Sequence, residues 1–200
     1  MIVILHGSSM LIISIIKLLN LWEFFFYKIR HKLNTEMAKM VYFAFVHSYL
    51  VNGIEVYGNT YSKYLHKLYI LNKKLLRILQ NAPLDTPISQ LYTNFNTLPL
   101  PDLHNYQILK FIHENIHHPD ELPAVFSSYY NRNKMIHTHN TRSKDNLHME
   151  YFSSTLGQRS IIYKGPSLWN TLPNEMKGIR SVSLFAHKLK EIFLNNLRDR

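Results

Sequence analysis

Residues 61–80, YSKYLHKLYILNKKLLRILQ, constrain the fold more than any other stretch, because apolar and basic residues segregate there at helical spacing. At about 100° per residue, Leu65, Leu68, Leu71, Leu75, Leu76, Ile78 and Leu79 fall on one side with Tyr64 beside them. Lys63, Lys67, Lys73, Lys74 and Arg77 fall on the other, joined by His66, and no carboxylate interrupts them. Side chains three and four apart are neighbours on a helix, so these five cations repel one another by a few tenths of a kcal/mol per pair unless an anion lies nearby. A solvated face and a phosphate-binding face are the two readings of such a stripe.

The rest of the chain reads as helices punctuated by Gly and Pro. Asn34 and Thr35 offer caps for a helix that runs to about Leu50, where Asn52-Gly53 supplies a left-handed stop. Its segment EMAKMVYFAFVHSYL is apolar on nearly every side, which predicts a helix in mid-core. Prolines 83, 87, 99 and 101 predict a connector of short extended or turn pieces over 81–101. A helix then starts near Asp102, directs Leu103, Tyr106, Leu109, Ile112 and Ile116 inward, and stops at Pro119. Residues 131–156 are polar and read as a loop, with short strands expected, if any, around 151–156 and 160–163. Gly165-Pro166 predicts a turn, Trp169 a core anchor, and Ser181 or Ser183 the cap of a last helix with Leu184, Phe185, Leu189, Ile192 and Phe193 along one stripe. The expected fold class is mainly α: a helical bundle followed by a helical C-terminal domain with loops.

Four words stand in a fixed order: HSYLVNGIEVYGNT at 47–60, LHKLYILNKKLLRIL at 65–79, HNTRS at 139–143 and GPSLWNTLP at 165–173. Together they resemble the C-terminal part of the reverse transcriptase of non-LTR, LINE-type (jockey-like) retrotransposons. The resemblance covers about residues 27–194. Asn52 stands where that family usually has an aromatic, and Tyr57 where it usually has Trp. The resemblance implies a thumb-like region over 27–82, a Pro-rich connector over 83–101 and a C-terminal domain over 102–200, with residues 1–26 outside it. It implies that the catalytic palm, whose paired aspartates hold magnesium, lies upstream of these words. The Asp residues here, at 85, 102, 120, 145 and 199, never stand side by side. The chain is therefore expected to lack polymerase activity and a cofactor of its own. Its expected partner is an RNA/DNA duplex, held without sequence preference through Lys63, Lys67, Lys73, Lys74, Arg77 and Arg142. For Arg142, in HNTRS, clamping a phosphate and pairing with a carboxylate are both open.

Composition agrees with a polyanionic partner, since 200 residues carry a formal charge of +10 with a pI near 9.7. There is no cysteine, which excludes disulfides and thiolate zinc sites and, with the resemblance, leads to an expected nuclear or cytoplasmic setting. Neither a Gly-rich phosphate loop nor a G-x-S-x-G elbow is present.

Two other functions compete. His113, Glu114 and His117 spell H-E-x-x-H, the pattern in which two His one turn apart hold zinc and the Glu activates water; His118, Glu121, His137 and His139 are the further donors. The competing view places these histidines at a solvent-facing helix end. Residues 10–27, MLIISIIKLLNLWEFFFY, are apolar enough to suggest a membrane surface, although Lys17, Asn20 and Glu23 argue against a spanning helix. Residues 1–16 contain no Lys or Arg, so a signal peptide is not expected.

Overall fold

The computed structural model describes residues 2–25, 28, 32–126, 129–136, 142–155 and 157–199. The chain is mainly helical, as its patterning predicts. The helices are α1 (Ile2–Phe24), α2 (Thr35–Val41), α3 (Ser48–Val51), α4 (Ile54–Tyr57), α5 (Ser62–Leu79), α6 (Ile88–Asn94), α7 (Leu100–His117), α8 (Asn133–Ile136), α9 (Ile161–Asn170), α10 (Asn174–Lys177) and α11 (Val182–Arg198). Two compact units are distinguished, residues 1–104 with 192–200, and residues 105–191. Among the described residues strand pairing is limited to one isolated bridge, Arg132 to Leu147.

In the first unit, Asn34 begins α2 by accepting the Met37 amide at 2.8 Å, and Gly53 at φ 74° ends the following helical run. Both features follow the sequence expectation. A π-helical segment, Tyr42–His47, joins α2 to α3. Its widened turn keeps Ala38, Tyr42, Val46 and Leu50 in register on one buried face. The apolar segment is therefore not central to a core on all sides: Met37, Met40 and Phe45 lie on its exposed side. Helices α1 and α5 pack against one face of this run, and the other is left to water.

Helix α5 buries Leu68, Leu71, Leu75, Leu76, Ile78 and Leu79, while Leu65 is half-buried and Tyr64 exposed near the open N-terminal end. Asn72, which nothing in the pattern singles out, is fully buried among these leucines. The Tyr42 hydroxyl donates to its Oδ1 at 3.1 Å, and its Nδ2 donates to the Tyr92 hydroxyl at 3.3 Å. Desolvation pushes the Tyr42 phenol up to about 12 and raises that of Tyr92 as well, so both hydroxyls stay protonated at any physiological pH. Asn72→Ala is expected to cost about 2–3 kcal/mol, because two buried hydroxyls lose their shared partner. Urea unfolding checks this, with Asn72→Asp expected to be worse because it buries a charge.

The stretch between Pro87 and Pro99 differs from the expected extended connector. It forms α6, whose Leu91 and Tyr92 are buried together with the following Phe95 and Leu98. Proline at the N-cap, Pro87, starts the helix and Asn96 at φ 52° ends it. Gln80 ties α5 to this segment by donating to the Leu91 carbonyl at 2.7 Å and accepting from Asn94 at 3.0 Å.

Helix α1 packs on α4 and α5 through Leu11, Ser14, Leu18 and the adjoining Phe25. Ile12, Ile13, Ile16, Leu19 and Phe24 lie exposed on its opposite side. Among the described residues, no helix is long and apolar enough to cross a membrane.

In the second unit, α9 overturns two expectations. Ile161–Asn170 is helical, so residues 160–163 form no strand, and Gly165-Pro166 sits inside the helix rather than turning the chain. Pro166 stands past the first turn of the helix, so its missing N–H forgoes the bond to the Ile162 carbonyl. Gly165 is required by proximity: a Cβ there would lie 2.9 Å from both the Tyr130 hydroxyl and Ile112 Cδ1. Trp169 is buried, 5.8 Å from the Phe185 ring, as a core anchor should be. Ser181 Oγ accepts the Leu184 amide at 3.4 Å at the start of α11, which buries Phe185 and Leu189 here while Leu184 is exposed. Residues 131–148 form a short clasp in which Asn133 and Lys134 amides donate to the Asn146 and Lys144 carbonyls. The Asn170 carboxamide both donates to the Leu147 carbonyl and accepts its amide, each at 2.9 Å.

Candidate nucleic-acid interface

The basic stripe of α5 survives folding in part. Lys63, Lys67 and Lys74 are exposed and fall within about 40° of one another around the helix axis. Among the described residues, no carboxylate comes within salt-bridge range of any of these three, nor of Lys73 or Arg77. The flanking rings are aromatic. Lys63 Nζ lies 4.9 Å from the Tyr64 ring centroid, Lys73 Nζ 4.4 Å from that of Tyr69, and Lys74 Nζ 5.8 Å from that of Trp22. Cation–π contacts at such distances steady an ammonium without neutralising it, so the charge is still presented to solvent.

Arg77 departs from the expected set. It is half-buried, its guanidinium donates to the Thr86 carbonyl at 3.1 Å, and its Nε is buried without a hydrogen-bond partner. The side chain braces the turn after α5. A helix at its C-terminal end is also where a cation is favoured by the exposed carbonyls, so this position suits a structural Arg. Lys73 is half-buried along its stem. The stripe therefore consists of three exposed lysines, with Lys73 at its edge.

Arg142 belongs to the second unit, where it is exposed. Of its two open roles, pairing with a carboxylate finds no partner within salt-bridge range among the described residues; in the same clasp Lys134 pairs with Asp145 at 3.2 Å. His139, Asn140 and Thr141 of the same word lie outside the described residues, as do His137 and the Tyr27 region.

The H-E-x-x-H residues have a different use. His113 is fully buried, and its ring stacks on Phe185 at 4.2 Å with the planes 17° apart. Its Nε2 lies 2.6 Å from the Ile179 carbonyl, His117 Nε2 lies 3.1 Å from the Lys177 carbonyl, and His118 Nε2 lies 2.9 Å from the Arg180 carbonyl. A carbonyl only accepts, so each Nε2 carries its proton and donates. A zinc ion needs an imidazole lone pair, and with Nε2 donating, each of these rings keeps its lone pair on Nδ1 alone. Nor is His113 solvent-facing, which corrects the other expectation for this helix end. Among the described residues no group of three or more His, Cys, Asp or Glu has a metal-holding arrangement. These histidines donate to three carbonyls at and just after the end of α10.

No family model matches the chain, and neither a curated protein nor a solved structure matches it.

Proposed function

We propose that this chain binds duplex nucleic acid without sequence preference through the exposed Lys63, Lys67 and Lys74 of α5, and that it corresponds to the post-palm region of a retrotransposon reverse transcriptase. The observation that carries the binding reading is the row of lysines with no carboxylate in salt-bridge range among the described residues, mounted on a helix whose other face is locked by buried leucines. Three ammonium groups on one helix share a single backbone placement, so only their side chains remain to be ordered when phosphates are met. Phosphate contacts of this kind position a duplex and read no bases. In this reading the chain performs no polymerase chemistry, and the exposed Arg142 is a phosphate contact of the second unit by itself. The family assignment rests on the order of the four sequence words. Gel retardation of an RNA/DNA hybrid by wild-type and lysine-reversed protein tests the binding.

A second reading is favoured by one observation, the exposed Ile12, Ile13, Ile16, Leu19 and Phe24 of α1. Lys17 and Glu23 are both exposed on the same helix, so it is the apolar side and not net charge that suits a bilayer interface. If that holds, the wild-type chain floats with vesicles containing phosphatidylserine while Ile12→Asp/Ile16→Asp stays at the bottom of the gradient; equal sedimentation of both with vesicles present removes this reading.

A further inference from the structure

Resting on the nucleic-acid reading, we infer that Tyr61 and Tyr64, at the outer end of the lysine row, form a stacking shelf for unpaired nucleobases. The occupant is a single-stranded tail beside a duplex, so the first unit seats the junction between the two.

Helix α5 outruns its core. Among residues 62–67, Leu65 alone is half-buried and the rest are exposed; burial begins at Leu68. Around the helix axis Tyr64 falls between Leu71 and Leu75, on the side that is buried further along. The apolar side therefore continues past the core as an exposed aromatic surface. Tyr61, the N-cap of α5, adds a second ring, and the two residues are 51% and 52% exposed. Their centroids lie 6.4 Å apart with the planes at 75°, an edge-to-face pair in which each ring orients the other. A lone surface tyrosine is ordinary; two rings held in one arrangement at the end of a basic row are a surface.

Position ties the rings to the row. Lys63 Nζ lies 4.9 Å from the Tyr64 ring centroid, and Lys67, three residues on, stands about 60° round the helix from Tyr64. Tyr64 thus borders two of the three lysines directly. Among the described residues neither lysine has a carboxylate in salt-bridge range, so both ammonium groups are open to a phosphate. A nucleotide holds its phosphate and its base within a few ångströms of each other. When Lys63 turns from the ring to a phosphate, it uncovers a π-face beside that phosphate, and a base of the same strand covers it. An exposed cation–π contact is weak enough to be exchanged in this way.

Paired bases are already covered above and below by their neighbours. The rings can therefore take only a base that has left the stack or ends it. Every base has a π-face, so stacking is tolerant of sequence, and the shelf adds affinity for single strand without reading bases.

The test measures anisotropy of a short labelled RNA/DNA hybrid, blunt or with one strand extended at both ends by unpaired nucleotides. The tails carry adenine or are abasic, with the sugar-phosphate retained. Wild type is expected to bind the adenine tails about tenfold more tightly than the abasic tails, the fold-change of one stacked base. Tyr61→Leu and Tyr64→Leu should each erase most of that advantage and leave blunt-hybrid binding unchanged, because the lysines remain. Tyr64→Phe should keep it. If adenine and abasic tails bind wild type equally, the shelf is refuted and the lysine face stands; self-association that Tyr64→Leu abolishes then gives the rings to a second copy of the chain. If Tyr64→Leu weakens blunt and tailed hybrids alike, the ring supports Lys63 and not a base, which refutes the shelf as well. If no hybrid binds, the lysine face and the shelf fall together.

Discussion

Reversing Lys63, Lys67 and Lys74 to Glu in one variant abolishes retardation of an RNA/DNA hybrid at low salt. The reason is electrostatic and local. With Z phosphates neutralised, log K falls with log salt at a slope near −0.9Z on a B-form duplex, so three contacts correspond to a slope of roughly −2.7. Raising salt from about 50 to about 200 mM should then weaken wild-type binding about 40-fold, and the reversed variant should be at least about 100-fold weaker than wild type at the lower salt. A control of Lys32, Lys188 and Arg198 to Glu changes the formal charge equally, and all three are exposed. If the control loses binding as completely as the α5 variant, attraction to net charge accounts for the effect and the site assignment is wrong. Arg77 is left out of the variant because its bond to the Thr86 carbonyl makes it part of the fold. Arg77→Glu should lower the unfolding midpoint, which would confound a binding assay.

The histidine cluster of the second unit should make the protein acid-labile. Burial lowers the proton affinity of His113 and His117 below the ordinary value of 6.5, outweighing their bonds to the Ile179 and Lys177 carbonyls. The neighbours add to this: His117 and His118 act against a proton on His113, and His118, Arg132 and Arg180 against one on His117. The buried Nδ1 of His113 has no acceptor for an additional proton. Above pH 6.5 both folded and unfolded chains are neutral at these sites, so stability does not vary with pH on their account. As pH falls below 6.5 the unfolded chain takes up protons that the folded chain resists, and stability drops until the lowered folded values are passed. Thermal unfolding at pH 7.5 and 5.0 reads this directly. His113→Gln, which keeps an N–H for the Ile179 carbonyl and cannot titrate there, should flatten the profile. His113→Ala should instead cost about 3 kcal/mol at neutral pH, by opening a cavity beside Phe185 and orphaning a carbonyl. A wild-type midpoint unchanged between pH 7.5 and 5.0 would contradict the assignment.

Much of the local structure was legible because it depends on residues three or four apart. The cap at Asn34, the stop at Gly53 and the leucine side of α5 all follow from near neighbours. What escaped the sequence depends on partners far along the chain. Asn72 looks like one more polar surface residue until Tyr42 and Tyr92 close on it, although its place among Leu68, Leu71, Leu75 and Leu76 is a signal that could have marked it. His113 fits a zinc motif until the Ile179 carbonyl, 66 positions away, takes its Nε2. The prolines at 87 and 99 suggest breaks, yet they bracket a helix whose Leu91 and Tyr92 enter the core.

Sequence alone determined that this chain is helical, where several of its helices begin and end, and that α5 has one greasy and one cationic side. Tertiary structure decided which cations remain at the surface, turning Arg77 towards Thr86 while leaving Lys63, Lys67 and Lys74 outside. The division has a physical cause. Helical periodicity is written at a spacing that the backbone imposes on any chain, whereas desolvation of a particular side chain depends on which distant segment packs against it.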